Sequence, residues 1–333
     1  MVRDMSEKIL EVQSLKMHFP VKGGVVRKVR GYVYALDGVS FSMSPGETLG
    51  IVGESGCGKT TLGRTIISLY RPTDGTVTFR NRIISDMRQK DLLPLRRNFQ
   101  MIFQDPYDSL NSRHTVRYIL EEPFIIHGTG DRKEREKSIR SLLDMVGLPS
   151  GSLNRYPHEF SGGQRQRIGI ARAIALRPEL VICDEPVSAL DVSIQSQILN
   201  LLMDLQNELN LTYLFISHDL TVVHHVSDRV AVMYLGRIVE LADADTIYKS
   251  PAHPYTQALI SAIPEPDPLS ERERIVLQGT VPSPVNRPAG CFFHPRCPRA
   301  EKICREIYPE AANCTKGNIE HYAVCHFAKE ENR

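Results

Sequence analysis

The sequence has no apolar run approaching the roughly eighteen residues that a membrane-spanning helix needs. Its opening residues, Met1-Val-Arg-Asp-Met-Ser-Glu-Lys8, carry acids and no apolar signal core, so neither a membrane span nor export is expected. An excess of one charge is also missing. The 41 Lys and Arg against 39 Asp and Glu leave a formal net charge of +2, whereas a dedicated nucleic-acid binder concentrates positive charge on one face. The one short basic stretch, Lys22–Arg30, reads as a solvated loop. No internal repeat and no low-complexity tract occurs. What remains is a cytoplasmic globular chain with no nucleic-acid partner.

A length of 333 residues suits one large domain and a smaller one. With 41% hydrophobic and 24% charged residues, a sizeable core forms without special staples. Disulfides are rare in the cytoplasm, so the 7 cysteines need another role. Cys57 and Cys183 fall inside the motifs described next, and the others lie between residues 291 and 325.

Up to about residue 250, short β-rich runs alternate with helical stretches. Glu47–Gly53, Glu179–Asp184 and Leu211–Ser217 are near-continuous apolar runs, as buried parallel strands require. Between Gln195 and Asn210, the spacing of Ile198, Leu201, Leu202, Leu205 and Leu209 predicts a crossover helix with one apolar face. This alternation implies an α/β sheet covered on both sides. Residues 105–175 carry helical signals and few strand signals, which predicts an inserted helical subdomain. From Pro264 onward, Pro266, Pro268, Pro282, Pro284 and Pro288 interrupt regular structure. The expected division is residues 1–255 and 256–333. Residues 251–290 read as a linker, and 291–327 as a small cysteine-rich domain with too little core to fold unaided.

Gly53-Glu-Ser-Gly-Cys-Gly-Lys59-Thr60 fits the G-x-x-x-x-G-K-[ST] phosphate loop, placed after a strand and before a helical run. Glycines let the backbone N–H groups curl around phosphates, and a helix N-terminus adds a positive dipole end. Gly53, Ser55, Gly56, Cys57, Gly58 and Thr61 are therefore expected nucleotide contacts. Lys59 would bring a charge to the outer phosphates, and the Thr60 hydroxyl would ligate Mg²⁺. The apolar run Leu180-Val-Ile-Cys-Asp184-Glu185 supplies the matching acids. Asp184 would hold Mg²⁺ through water, and Glu185 would polarise the attacking water.

Phe160-Ser161-Gly162-Gly163-Gln164-Arg165-Gln166-Arg167, between these two motifs, resembles the signature of ATP-binding-cassette ATPases. That resemblance implies a phosphate-loop core of ABC type with its helical insertion, and a head-to-tail dimer. In it Ser161, Gly163 and Gln164 would meet the γ-phosphate of ATP held by the opposite subunit. The family usually has Leu where this chain has Phe160. The resemblance also implies roles for Gln104 at the metal and water, Asp191 in the dimer-contact loop, and His218 at the γ-phosphate. For the aromatic that stacks on adenine, Phe19 fits by chain order, with Tyr32 and Tyr34 in contention.

The segment after Phe19, the stretch Phe103-Gln-Asp-Pro-Tyr-Asp-Ser-Leu-Asn111 and His253-Pro-Tyr-Thr-Gln-Ala-Leu259 are similar to dipeptide and oligopeptide importer ATPases. Membership would imply a paralogous ATPase subunit or a homodimer, two transmembrane permease subunits and an extracytoplasmic peptide-binding protein. The chain would then sit peripherally on the cytoplasmic face of the membrane. Nickel importers share much of this pattern. Soluble ABC ATPases usually carry a long coiled-coil insertion or a second cassette, and this sequence has neither.

Cys291, Cys297, Cys304 and Cys325 stand at C-x5-C-x6-C-x20-C. By chemistry alone they could ligate zinc, with His294, His321 and His326 close by in sequence, or a four-iron cluster. Zinc sites usually pair two cysteines about two to four residues apart, and no such pair occurs here. The four positions match those at which similar importer ATPases carry a [4Fe–4S] cluster, which the resemblance therefore implies, with zinc as the alternative. Cys314 falls outside that pattern.

Overall fold

A computed structural model describes residues 8–23, 28–264, 274–315 and 320–328. The first seven residues, the middle of the basic stretch, Pro266 and Pro268 lie outside the described residues. The chain divides into two compact units.

One unit contains Ser44–Thr48 and Asp86–Ile216. Strands Phe99–Ile102, Leu180–Asp184 and Thr212–Ile216 run parallel, with the 180–184 strand in the middle. Every residue of the last two strands is buried, which explains why they read as unbroken apolar runs rather than as alternating ones. Helix Val192–Leu209 connects them and buries Ile198, Leu199, Leu201, Leu202 and Leu205. Each such side chain contributes about 1.5–3 kcal/mol on leaving water. Asn210, in the left-handed region at φ 52°, ends that helix. The expected apolar face holds, although Leu209 is only half-buried. Between residues 105 and 175 lie helices Pro106–Ser109, Val116–Ile126, Arg132–Met145 and Gly162–Ile174, with no strand among the described residues. They belong to the same compact unit as the three strands.

The other unit contains Leu10–Met43, Leu49–Ser85 and Ser217–Arg333. Strands Leu10–Gly23 and Lys28–Met43 form one long antiparallel ladder, from Leu10↔Met43 to Gly23↔Lys28. Of the basic stretch Lys22–Arg30, expected as a solvated loop, the described residues Lys22, Gly23 and Lys28–Arg30 lie instead in these strands. Val21, Val29, Tyr32, Val33 and Tyr34 of the same strands are β-branched and aromatic residues that suit a pleated ladder. Strand Asp74–Phe79 pairs on the far side of the 10–23 strand.

In the same unit, residues Leu49–Val52 pair parallel with strand Arg229–Tyr234, which pairs antiparallel with Arg237–Asp243. The short terminal strand His321–Ala323 adds to the 237–243 strand. The buried Glu240 accepts from the Ala252 N–H at 2.6 Å, the His253 N–H at 3.0 Å and the His321 ring at 2.7 Å. The cysteine-rich segment thus leans on this sheet. The stretch expected as a linker begins instead with a packed helix, Pro254–Ser261, capped by the His253 ring and with Tyr255 and Thr256 fully buried.

Candidate nucleotide site and cysteine pocket

Each unit carries its own part of the candidate machinery. The loop Gly53–Gly58 joins the 48–52 strand to helix Lys59–Ile66. At Gly58, φ is 109° and a Cβ would stand 2.2 Å from the Ala35 carbonyl oxygen. At Gly53, φ is 154° and a Cβ would strike the Met233 carbonyl oxygen, also at 2.2 Å. Only glycine fits either position, so the tight curl that the motif predicts is enforced by the backbone around it. The helix N-terminus has no side-chain cap, and the positive end of a helix favours an anion. Lys59, 5% exposed, donates from Nζ to the carbonyls of Gly53 at 2.7 Å and Glu54 at 3.2 Å, across the mouth of the loop. Ser55 and Gly56 are exposed, Cys57 is buried, and Thr60 and Thr61 are half-buried. Burial pushes the Cys57 thiol up, so it packs as a neutral side chain.

His218, exposed, precedes Asp219, whose carboxylate caps helix Leu220–Val226. The aromatic candidates lie on paired strands, with Phe19 opposite Val33 and Tyr32 opposite Pro20. Phe19 packs edge-on against Tyr70 at 5.5 Å between centroids, and Tyr32 is 44% exposed. Tyr34 is covered by Arg287 at 4.0 Å and by the edge of His18 at 4.7 Å.

In the other unit, Asp184 is fully buried at the end of its strand. Glu185 follows in the left-handed region at φ 46°, with its N–H bonded to Ile216 O at 2.9 Å. Gln104 Nε2 donates to Glu185 Oε2 at 3.0 Å. Ser161 and Gln164 form a reciprocal capping box at the start of helix Gly162–Ile174, with bonds of 3.4 and 3.1 Å. A Cβ at Gly163 would stand 2.5 Å from Ile194 Cγ2. Asp191 is exposed and makes no side-chain cap to the helix it precedes.

Cys291, Cys297, Cys304 and Cys325 line a single pocket, together with His253, Phe293, His294 and Phe327. The Cys291 N–H donates to Cys304 O at 2.8 Å, tying two of the segments together. Burial, with smaller contributions from the neighbouring thiols, pushes Cys291 up to about 11 and also raises Cys297 and Cys325. Among the described residues no three or more His, Cys, Asp or Glu are grouped to hold a metal ion. Cys314 is not among the residues lining this pocket; it is buried with Ala252, Ala323 and Ala328, in a cluster against which Cys325 also packs.

The family model of ABC transporters matches residues 36–188, and that of the oligopeptide/dipeptide transporter C-terminal region matches 239–304. The chain is 55% identical to the oligopeptide transport ATP-binding protein AppF of Bacillus subtilis, over 96% of this chain and 97% of that one. It belongs to the ABC ATPases of oligopeptide and dipeptide transporters. This ABC ATPase is also 50% identical to the dipeptide transport ATP-binding protein DppF of Haemophilus influenzae, over 93% of its own length and 95% of that protein's. Among solved structures, it resembles the ATP-binding cassette MJ0796 in a dimeric post-hydrolysis state bound to ADP and Pi. The TM-score is 0.63 at 29% identity, covering 71% of this chain and 98% of that one. The enzyme is an ATPase with a phosphate-loop α/β fold.

Two contacts of the phosphate loop were not foreseen: Glu54 is held by the Tyr255 hydroxyl and by Arg296. Tyr255 lies in the His253-Pro-Tyr segment that resembles the importer family, the one sequence signal that pointed there.

Proposed function

We propose that the chain is the ATP-hydrolysing subunit of a peptide importer, working at the cytoplasmic face of the membrane as a head-to-tail dimer. Its partner would be a paralogous ATPase or a second copy, beneath two permease subunits fed by an extracytoplasmic peptide-binding protein. The phosphate loop carries this reading: a strand–loop–helix with no side-chain cap on the helix and a buried lysine across its mouth. The relatives named for oligopeptide and dipeptide transport support the cargo, and the dimeric cassette with ADP and Pi supports the assembly.

In this scheme Gly53, Ser55, Gly56, Cys57, Gly58 and Thr61 line the phosphates, and Lys59 neutralises the outer ones. Thr60, Gln104 and Asp184 hold Mg²⁺, Glu185 polarises water, and His218 meets the γ-phosphate. Ser161, Gly163, Gln164 and Asp191 serve the partner's nucleotide and the dimer contact. The adenine stacks on Phe19 or Tyr32; Tyr34 is already covered by Arg287. The 105–175 helices act as the inserted subdomain, and residues 256–333 form the functional C-terminal region.

For the cysteine pocket we propose a [4Fe–4S] cluster held by Cys291, Cys297, Cys304 and Cys325. Zinc is the alternative, but zinc sites usually pair two cysteines about two to four residues apart, and the spacing here has no such pair. When bound, such a cluster supplies four thiolate bonds that staple a segment with little core of its own.

Uptake of labelled di- and oligopeptides by cells lacking the gene tests the function. Complementation by the parent but not by Glu185→Gln is expected. Unchanged peptide uptake with lost nickel uptake would move the cargo to nickel, and no change in either would contradict the importer reading.

A further inference from the structure

Glu54, the second residue of the phosphate loop, is gripped from two sides by residues of its own compact unit. Its backbone N–H donates to the Tyr255 hydroxyl at 3.0 Å. Its carboxylate receives a fork from Arg296, Nη1 to Oε2 at 2.7 Å and Nη2 to Oε1 at 2.9 Å. The Arg296 side chain is 7% exposed, that of Glu54 is 28% exposed, and Tyr255 is fully buried. Both grips share one aromatic seat. Tyr255 packs on Tyr234 and Phe293, at 4.8 and 5.4 Å between centroids, and the Arg296 N–H bonds to Phe293 O at 3.0 Å. Arg296 immediately precedes Cys297 of the cysteine pocket.

A phosphate loop works by turning N–H groups and positive potential toward an anion. A carboxylate on that same loop opposes it unless a cation cancels the charge. A guanidinium does so with fixed geometry, because its planar fork matches both carboxylate oxygens. The bond to Tyr255 commits the Glu54 N–H away from any ligand and pins the loop where it leaves the strand.

We propose that Tyr255 and Arg296 are positioning residues for ATP: by holding Glu54 they set the shape and the potential of the phosphate loop. The grip makes nucleotide affinity depend on the cysteine-lined segment, which anchors Arg296. The inference rests on the ATPase reading and deepens it.

The test is a double-mutant cycle on the purified full-length chain, with affinity for a fluorescent ATP analogue as the readout. Arg296→Met leaves a carboxylate unpaired beside the phosphates and should weaken binding about ten- to a hundredfold. In the Glu54→Gln background there is no charge to cancel, so the same change should cost less than about threefold. Equal losses in the two backgrounds, or no loss in either, would overturn the proposal. Tyr255→Phe keeps the aromatic seat and removes only the hydroxyl, so it tests the grip even if the Arg296 variant folds poorly. It should weaken binding about threefold or more, and unchanged affinity contradicts the proposal. Lys59→Ala separates the two readings. A parent that binds no ATP refutes the ATPase reading. A parent that binds, a Lys59→Ala that does not, and an Arg296→Met equal to the parent refute only the grip.

Discussion

Gln104 and Glu185 meet through a 3.0 Å hydrogen bond, side chain to side chain, although they lie 81 residues apart in sequence. Glu185 stands in the left-handed region at φ 46°, a conformation that costs a non-glycine residue about 1–3 kcal/mol. The surrounding structure supports it through the bond to Ile216 O and through Ser188, whose hydroxyl donates to Glu185 O at 3.1 Å. The carboxylate expected to act on water is thus aimed by a glutamine expected from a separate motif.

Removing that amide should loosen the carboxylate without touching the phosphate loop. Gln104→Ala is expected to slow ATP turnover about tenfold or more, with the loss concentrated in kcat rather than in ATP affinity. Steady-state kinetics over a range of ATP concentrations checks this; a pure rise in KM would contradict the role.

The cysteine pocket can be read by colour and by metal. Purified without oxygen, the chain should carry about four irons and matching sulfide, with the brown absorbance of a thiolate-bound cluster. Cys304→Ser should lose iron and lower the melting temperature. One zinc per chain without colour would replace the cluster by a zinc staple.

Asp37 anchors a network in which Arg237 donates at 3.0 and 2.7 Å and Arg287 at 2.6 Å to the same carboxylate oxygen. Burial alone would raise this carboxyl, but the two guanidiniums overcome it and hold it at about 2. The folded value lies below the unfolded one of about 3.9. The stabilisation, about 2 kcal/mol, is therefore fully present above that pH and is lost as pH falls from about 4 to about 2. Asp37→Asn should melt lower than the parent at pH 7, and the difference should shrink toward pH 2. A difference independent of pH would contradict this account.

The nucleotide motifs were legible because each chemistry needs particular residues at fixed spacing, as in the loop around Lys59 and the acids at Asp184 and Glu185. The buried strands were legible because both faces are covered, so apolar residues run on unbroken. Ion pairs between distant positions leave no such trace: Glu54 and Arg296 are 242 residues apart, and Asp37 and Arg287 are 250 apart. The hairpin beyond Phe19 was hidden by its glycines and lysines, which outweighed the alternating valines and tyrosines. The helix at Pro254 was hidden by the proline-rich stretch after it, yet a capping residue followed by proline at the first helical position is a start signal.

Glu185→Gln tests the central claim most directly, with ATP binding and phosphate release measured on the same purified protein beside the parent. The amide keeps the shape but cannot polarise water, so phosphate release should fall about a hundredfold or more. ATP affinity should stay within about threefold of the parent, because the phosphate loop is untouched. Phosphate release at the parental rate would contradict the assignment of Glu185 and, with it, the mechanism proposed for this ATPase.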